Sequence, residues 1–200
     1  MTDGSHRNRT EDPCSRGRPA VFLDRDGTII EDRGHLLDPS QIVFYPETFD
    51  ALLRLREQFL LFIVTHQPGI ARGLITREQA DRVNLAVVAA LAERSIVITD
   101  VYVCPHERSQ GCACVKPKPY FLKQAAARYS IDLAASFTVG DHPHDVELAV
   151  NAGARGIYVL TGHGRRHQSE LPPDAIVVPT IAQAAERILD LHRRNAPEAG

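Results

Sequence analysis

No apolar run among these 200 residues approaches the ~18 that a membrane-spanning helix requires. Neither sign of charge dominates: 23 Lys and Arg stand against 25 Asp and Glu, for a net charge of -2. That balance excludes a general electrostatic surface for nucleic acid. Residues 1–18 are polar and lack the apolar segment of a secretory signal. They read as a disordered tail, as do residues 193–200, and the expected location is the cytoplasm. There is no internal repeat and no low-complexity block beyond these tails. A disulfide framework is also missing, because Cys14 lies in the tail and the other cysteines, Cys104, Cys112 and Cys114, cannot all pair with one another.

With 44% apolar and 24% charged residues, the remainder suits one soluble domain over residues 19–192. Short apolar runs predict strands at 20–23, 60–64, 97–103, 137–139, 156–160 and 175–178. Between them, helical patterns occupy 47–58, where Phe49, Leu52 and Leu53 share a face, and a stretch from Thr76 to about residue 94. Thr76 and Gln79 form a capping box, followed by an apolar stripe of Ala80, Val83, Val87, Ala90 and Leu91. Further helices are expected from Pro119 as an N1 proline to 129, from 145 to a C′ glycine at Gly153, and from Thr180 to 192. The alternation predicts a three-layer, Rossmann-like α/β fold, a parallel sheet with helices on both faces. Connections are short apart from 31–46 and the cysteine loop, so no large cap domain fits.

In open α/β sheets ligands bind beyond the C-terminal strand ends, and the polar motifs of this chain gather there. Ala20-Val21-Phe22-Leu23 runs straight into Asp24-Arg25-Asp26-Gly27-Thr28, two carboxylates two residues apart with a glycine and a hydroxyl behind them. Thr65 closes the second strand, Lys116 follows the third, and Asp141 and Asp145 follow the fourth. Phosphoryl transfer needs these groups: an oxygen nucleophile (Asp24), a proton donor for the leaving group (Asp26), a hydroxyl for phosphoryl oxygens (Thr65), a cation (Lys116) and a hard carboxylate ligand for Mg²⁺ (Asp141). Singly, each has a plainer reading: Thr65 as a strand-end cap, Lys116 as a solvated loop lysine, Asp141 as part of a turn. Their shared location argues for the chemical one.

Cys104, His106, Cys112 and Cys114 supply three thiolates and one imidazole within residues 104–114, a donor set typical of tetrahedral structural Zn²⁺. Metal-free reduced thiols and a redox pair compete with that reading, although no Cys-x-x-Cys is present. With four protein ligands zinc has no open position. Its expected task is to fold a loop with no apolar anchors and so to position Lys116.

Residues 22–28, Val64-Thr65, Lys116-Pro117-Lys118-Pro119 and Val139-Gly140-Asp141 resemble the four motifs of the haloacid dehalogenase (HAD) superfamily. Asp-Arg-Asp-Gly-Thr, Gly69-Ile70-Ala71-Arg72-Gly73 and the Cys-Pro-His…Cys-x-Cys-x-Lys-Pro series resemble the branch of the heptose-1,7-bisphosphate 7-phosphatases and histidinol-phosphate phosphatases. The resemblance runs from about residue 20 to 191. It implies an aspartyl-phosphate on Asp24, acid/base catalysis by Asp26, and Mg²⁺ on Asp24, the Asp26 carbonyl and Asp141. It also implies zinc in the cysteine loop. The chain departs from the branch at His66, where Asn is usual, at Pro68 in place of Ser, and at Val115, where a basic residue often precedes the motif lysine. Arg72 could reach a distal phosphate, and His66 and Gln67 are the other expected substrate contacts. His142 and His144 read either as outer groups of the magnesium site or as solvated loop histidines, with Asp145 in the outer shell. The expected activity is hydrolysis of a small phosphorylated metabolite by a monomer. The substrate alternatives are heptose bisphosphate and histidinol phosphate, and the remaining alternative is a non-catalytic phospho-ligand binder.

Overall fold

The computed structural model describes residues 17–195, so most of the expected tails 1–18 and 193–200 lies outside the described residues, while 193–195 are helical rather than a tail. Six parallel strands form one sheet: β1 (Ala20–Leu23), β2 (Leu60–His66), β3 (Ile98–Cys104), β4 (Phe137–Gly140), β5 (Arg155–Val159) and β6 (Ile176–Val178). Their order across the sheet is β3-β2-β1-β4-β5-β6. Helices α1 (Thr48–Leu55), α2 (Arg77–Glu93), α3 (Tyr120–Tyr129), α4 (Pro143–Ala152), the single turn α5 (Gly164–His167) and α6 (Ile181–Asn195) complete it. The three-layer α/β expectation is met.

The unbroken apolar character of β1 follows from its central position, because a parallel strand covered on both faces has no polar side. Val21 and Leu23 enter one core with Leu52 and Leu55 of α1, Val83, Val87 and Leu91 of α2, and Ile188 of α6. Ala20 and Phe22 enter the opposite core, with Leu122 of α3 and Leu148 of α4. The chain steps outward from β1 through β2 to β3, then returns to β4 on the other flank of β1. That reversal opens a crevice beyond the C-terminal ends of β1 and β4.

Local signals held where their partners are close in sequence. Thr76 Oγ1 accepts from Gln79 N at 3.1 Å and Gln79 Oε1 from Thr76 N at 2.7 Å, so α2 starts at its capping box. Thr180 Oγ1 accepts from Ala182 N, and Gly153 ends α4 in the left-handed region. Boundaries moved where tertiary packing intervened. The face of α1 that is buried is Thr48, Ala51, Leu52 and Leu55, with Phe49 and Leu53 only flanking it. Thr48 is drawn in because its hydroxyl donates to Ile29 O at 2.8 Å. Helix α4 begins at Pro143 rather than 145, since His142 serves as its N-cap. Pro119 is the N-cap of α3 rather than N1, and α6 continues to Asn195, its last turn carrying Arg193 and Arg194 beside the helix's negative end.

Candidate active site

The ladder between β1 and β4 persists up to the first carboxylate: Asp24 N still donates to Val139 O at 2.8 Å. Beyond it the chain turns sharply, with Arg25 O accepting from Ile29 N and Ile30 N, each at 3.1 Å. Gly27 makes the turn at φ +81°, and a Cβ there would stand 2.1 Å from Asp141 Oδ2. Glycine is therefore required twice, for the left-handed backbone and for the approach of the Asp141 carboxylate. From the other side Thr161 Oγ1 donates to Gly27 O at 2.6 Å, and His163 N donates to Asp141 Oδ2 at 2.7 Å. The loop after β5 thus clamps Asp141 against the turn after β1.

Lys116 is buried and bridges two carboxylates, its Nζ lying 2.5 Å from Asp24 Oδ1 and 2.7 Å from Asp145 Oδ1. Burial acts to lower the lysine pKa, yet Asp145 and Asp24 together hold it above its ordinary value. The Asp24 carboxyl is raised well above the usual range, by burial first, with Lys116 opposing and Asp145, Asp141 and Asp26 adding. Asp141 is pushed up to about 7, again by burial and then by Asp145. Asp26 faces the same cavity. Gln67 Nε2 donates to its Oδ2 at 2.8 Å and to Thr65 Oγ1 at 2.9 Å, while Arg25 grips both carboxylate oxygens from behind at 2.8–3.2 Å.

These groups line a cavity of about 250 Å³ that also receives His66, Pro68, Arg108, His142, His144 and His163. Its donor set is hard oxygen, crowded and buried around one lysine, and the raised carboxyls of Asp24 and Asp141 measure how poorly that crowding is compensated by protein charge alone. A divalent hard cation is what such a set accommodates. The carboxylates of Asp24 and Asp141, both lining this cavity, are the hard-oxygen donors that Mg²⁺ prefers.

The second cluster is closed and sulfur-rich. Cys104, His106, Cys112 and Cys114 bring their donor atoms within 4.8 Å of one another. The three Sγ–Sγ separations are 3.3, 3.5 and 3.6 Å, and His106 Nδ1 is 3.4 Å from Cys114 Sγ. Ligands at the usual Zn–S distance of about 2.3 Å stand about 3.7 Å apart on a tetrahedron, so the set fits Zn²⁺. Separations this long are not disulfides. The loop is stitched to its surroundings: Lys118 Nζ donates to Gly111 O and Cys112 O at 2.6 and 2.8 Å, and Arg108 Nη1 donates to the carbonyl of Lys116 at 2.6 Å.

Asp24, Asp26, Thr65, Lys116 and Asp141, expected to act together, converge on one cavity. Gln67 lies there too, but it is buried and spends its amide on Asp26 and Thr65. His66 borders the cavity, its Nε2 paired with His106 O at 2.7 Å, so it joins the end of β2 to the zinc loop. Arg72 is not at the central cavity. Its side chain is 51% exposed, bonds to Glu107 at 2.6 Å, and lines an adjoining cavity of about 380 Å³. Asp145 is held by Lys116, and His142 Nδ1 caps α4 by accepting from His144 N at 3.4 Å. Burial pushes the His142 imidazole down to about 4, which leaves it neutral and able to accept.

Sequence reasoning missed Arg25, Arg108, Thr161 and His163. Arg25 carried a legible signal, since a charged residue between two site carboxylates at the end of a buried strand needs a partner. Arg108 is exposed, borders both cavities and has no carboxylate partner among the described residues.

A family model described as HAD-hydrolase-like matches residues 113–184. The D-glycero-beta-D-manno-heptose-1,7-bisphosphate 7-phosphatase of Yersinia pestis is 38% identical over 169 residues, covering 80% of this chain and 89% of that one. Its namesake from Bordetella bronchiseptica is 34% identical over 173 residues, covering 84% and 97%. Among solved structures, the D,D-heptose 1,7-bisphosphate phosphatase of B. bronchiseptica complexed with magnesium and phosphate superposes with a TM-score of 0.79 at 32% identity, covering 86% of this chain and 99% of that one.

Proposed function

This chain belongs to the HAD-like phosphatases, in the family of the D-glycero-D-manno-heptose-1,7-bisphosphate 7-phosphatases, and we propose that it hydrolyses the 7-phosphate ester of that sugar bisphosphate with Mg²⁺. The observation that carries the reading is the convergence of four strand ends on Asp24: Lys116 bonded to it, Asp141 clamped beside its turn, and Asp26 with Thr65 across the cavity.

In the proposed reaction an Asp24 carboxylate oxygen attacks phosphorus. The ester P–O bond breaks, and the departing alkoxide takes a proton from Asp26. A water then attacks the aspartyl-phosphate, gives its proton to Asp26, and releases inorganic phosphate with Asp24 restored. Lys116 keeps Asp24 oriented and offsets its charge. Thr65 accepts from Gln67, so its own hydroxyl proton is left for a phosphoryl oxygen. When bound at Asp24, the Asp26 carbonyl and Asp141, Mg²⁺ neutralises phosphoryl charge. Zinc at Cys104, His106, Cys112 and Cys114 is structural, since four protein ligands leave no place for substrate.

The non-reacting phosphate falls to Arg108 in this reading, because its guanidinium borders the reaction cavity and the adjoining one. His66 lies at the same junction, and Arg72 sits at the outer rim. The enzyme works as a monomer in the cytoplasm. Among the described residues no helix is long and apolar enough to cross a membrane. The test is phosphate release from heptose 1,7-bisphosphate, histidinol phosphate and an aryl phosphate with Mg²⁺. Preference for the first supports the reading, and preference for histidinol phosphate reverses the substrate assignment. Equal inertness of wild type and Asp24→Asn leaves a phospho-ligand binder.

A further inference from the structure

Arg25 stands between the two site aspartates and its side chain is 1% exposed. Its Nε and Nη2 face the Asp26 carboxylate, and its remaining bonded nitrogen, Nη1, donates to Asn84 Oδ1 at 2.6 Å. Asn84 sits on α2, 59 residues along the chain, on the stripe otherwise filled by Ala80, Val83, Val87 and Leu91. It is buried, and its Nδ2 has no hydrogen-bond partner among the described residues. Half of this amide is therefore a cost to the fold, which an apolar residue at the same site would avoid. The other half is the acceptor that meets a buried guanidinium. The amide has one workable orientation, because its NH₂ group turned toward Arg25 would set donor against donor.

Asp26 is thus held from both sides. Gln67 reaches it from the end of β2, and Arg25, braced by Asn84, holds both of its oxygens from below. We propose that Asn84 is a positioning residue for the leaving-group proton transfer, acting on Asp26 through Arg25. This rests on the reading of Asp26 as the acid/base group. The Arg25 fork alone can slide on its long, flexible stem. Anchoring Nη1 to a helix removes that freedom, and proton transfer demands a fixed donor within hydrogen-bond reach of the ester oxygen.

The consequence is selective for the leaving group. A sugar alkoxide leaves only with a proton, whereas p-nitrophenolate is stable as an anion and leaves without one. In Mg²⁺-loaded full-length protein, Asn84→Leu and Asn84→Ala should lower the single-turnover rate of leaving-group release from the sugar phosphate by about tenfold or more and that from p-nitrophenyl phosphate by less than about twofold. The aryl substrate reports the folded, active fraction of the same sample, so poor folding cannot imitate the result. Asn84→Asp, which keeps an oxygen toward Arg25, should restore the sugar-phosphate rate. Asp26→Asn is the reference and should show the same selectivity in larger degree. Equal losses on both substrates, or no loss on either, overturn the role of Asn84. If Asp26→Asn slows leaving-group release from both substrates equally in a single turnover, the acid reading falls and the inference with it.

Discussion

The two polar clusters of this molecule are built on opposite plans. The cysteine-histidine cluster draws all its donors from residues 104–114, and they are mostly sulfur and closed around a point. The catalytic cluster draws on Asp24, Thr65, Lys116 and Asp141, with Lys116 and Asp24 92 positions apart, and its donors are hard, crowded and open to a cavity. A structural metal site can be local because the ion alone fixes its geometry. A catalytic site cannot, because its groups need different neighbours to acquire different chemistry. The raised carboxyls of Asp24 and Asp141 and the raised lysine between Asp24 and Asp145 come from burying unlike charges unevenly. The clusters meet at Lys116, two positions past Cys114 and gripped at its carbonyl by Arg108.

The largest effect should come from the open cluster. Asp24→Asn keeps the shape and removes the proposed nucleophile, and kcat for phosphate release should fall on the order of 10⁴-fold or more, with the melting temperature little lowered. Lys116→Met should follow. It leaves Asp24 and Asp145 buried without their cation, costing about 3–5 kcal/mol in denaturant unfolding as well as most of the turnover. Stripping zinc tests whether the closed cluster serves the open one. Loss of the loop should displace Lys116 and reduce kcat by about 10²-fold. Undiminished turnover in protein shown by metal analysis to be zinc-free would separate the two clusters altogether.

The smallest effects distinguish the two arginines near the cavity. Arg108→Gln should raise KM for the bisphosphate about tenfold while leaving KM for an aryl monophosphate, which has no second phosphate, unchanged, as expected for one charge-assisted contact to the non-reacting phosphate. Arg72→Ala removes an exposed ion pair with Glu107, worth about 0–1 kcal/mol. Steady-state KM for the bisphosphate should therefore change by less than about fivefold. The reverse ranking would return the distal phosphate to Arg72.

Much of this was legible before folding. The apolar run of β1 followed by Asp24 and Asp26, the capping box at Thr76, and the spacing of Cys104, His106, Cys112 and Cys114 are readable because each pattern is complete within a few residues. The misread details share one cause. Thr48 entered a buried helix face because Ile29 O awaited its hydroxyl. Arg72 lay outside the central cavity because Glu107 holds it at the rim. Asn84 carried no signal of its own because nothing near it in sequence indicates Arg25.

The sequence by itself determined the alternation of strands and main helices, approximately where each strand ends, and which chemical groups stand near those ends. Propensity, periodicity and capping act over distances of one helical turn or one strand. The tertiary structure alone decided which groups share a proton, a cation or a cavity: Lys116 between Asp24 and Asp145, Asp141 against Gly27, Arg25 between Asp26 and Asn84. These pairings depend on β1 lying between β2 and β4, an order selected by burying both faces of the whole sheet at once. No local pattern contains that order.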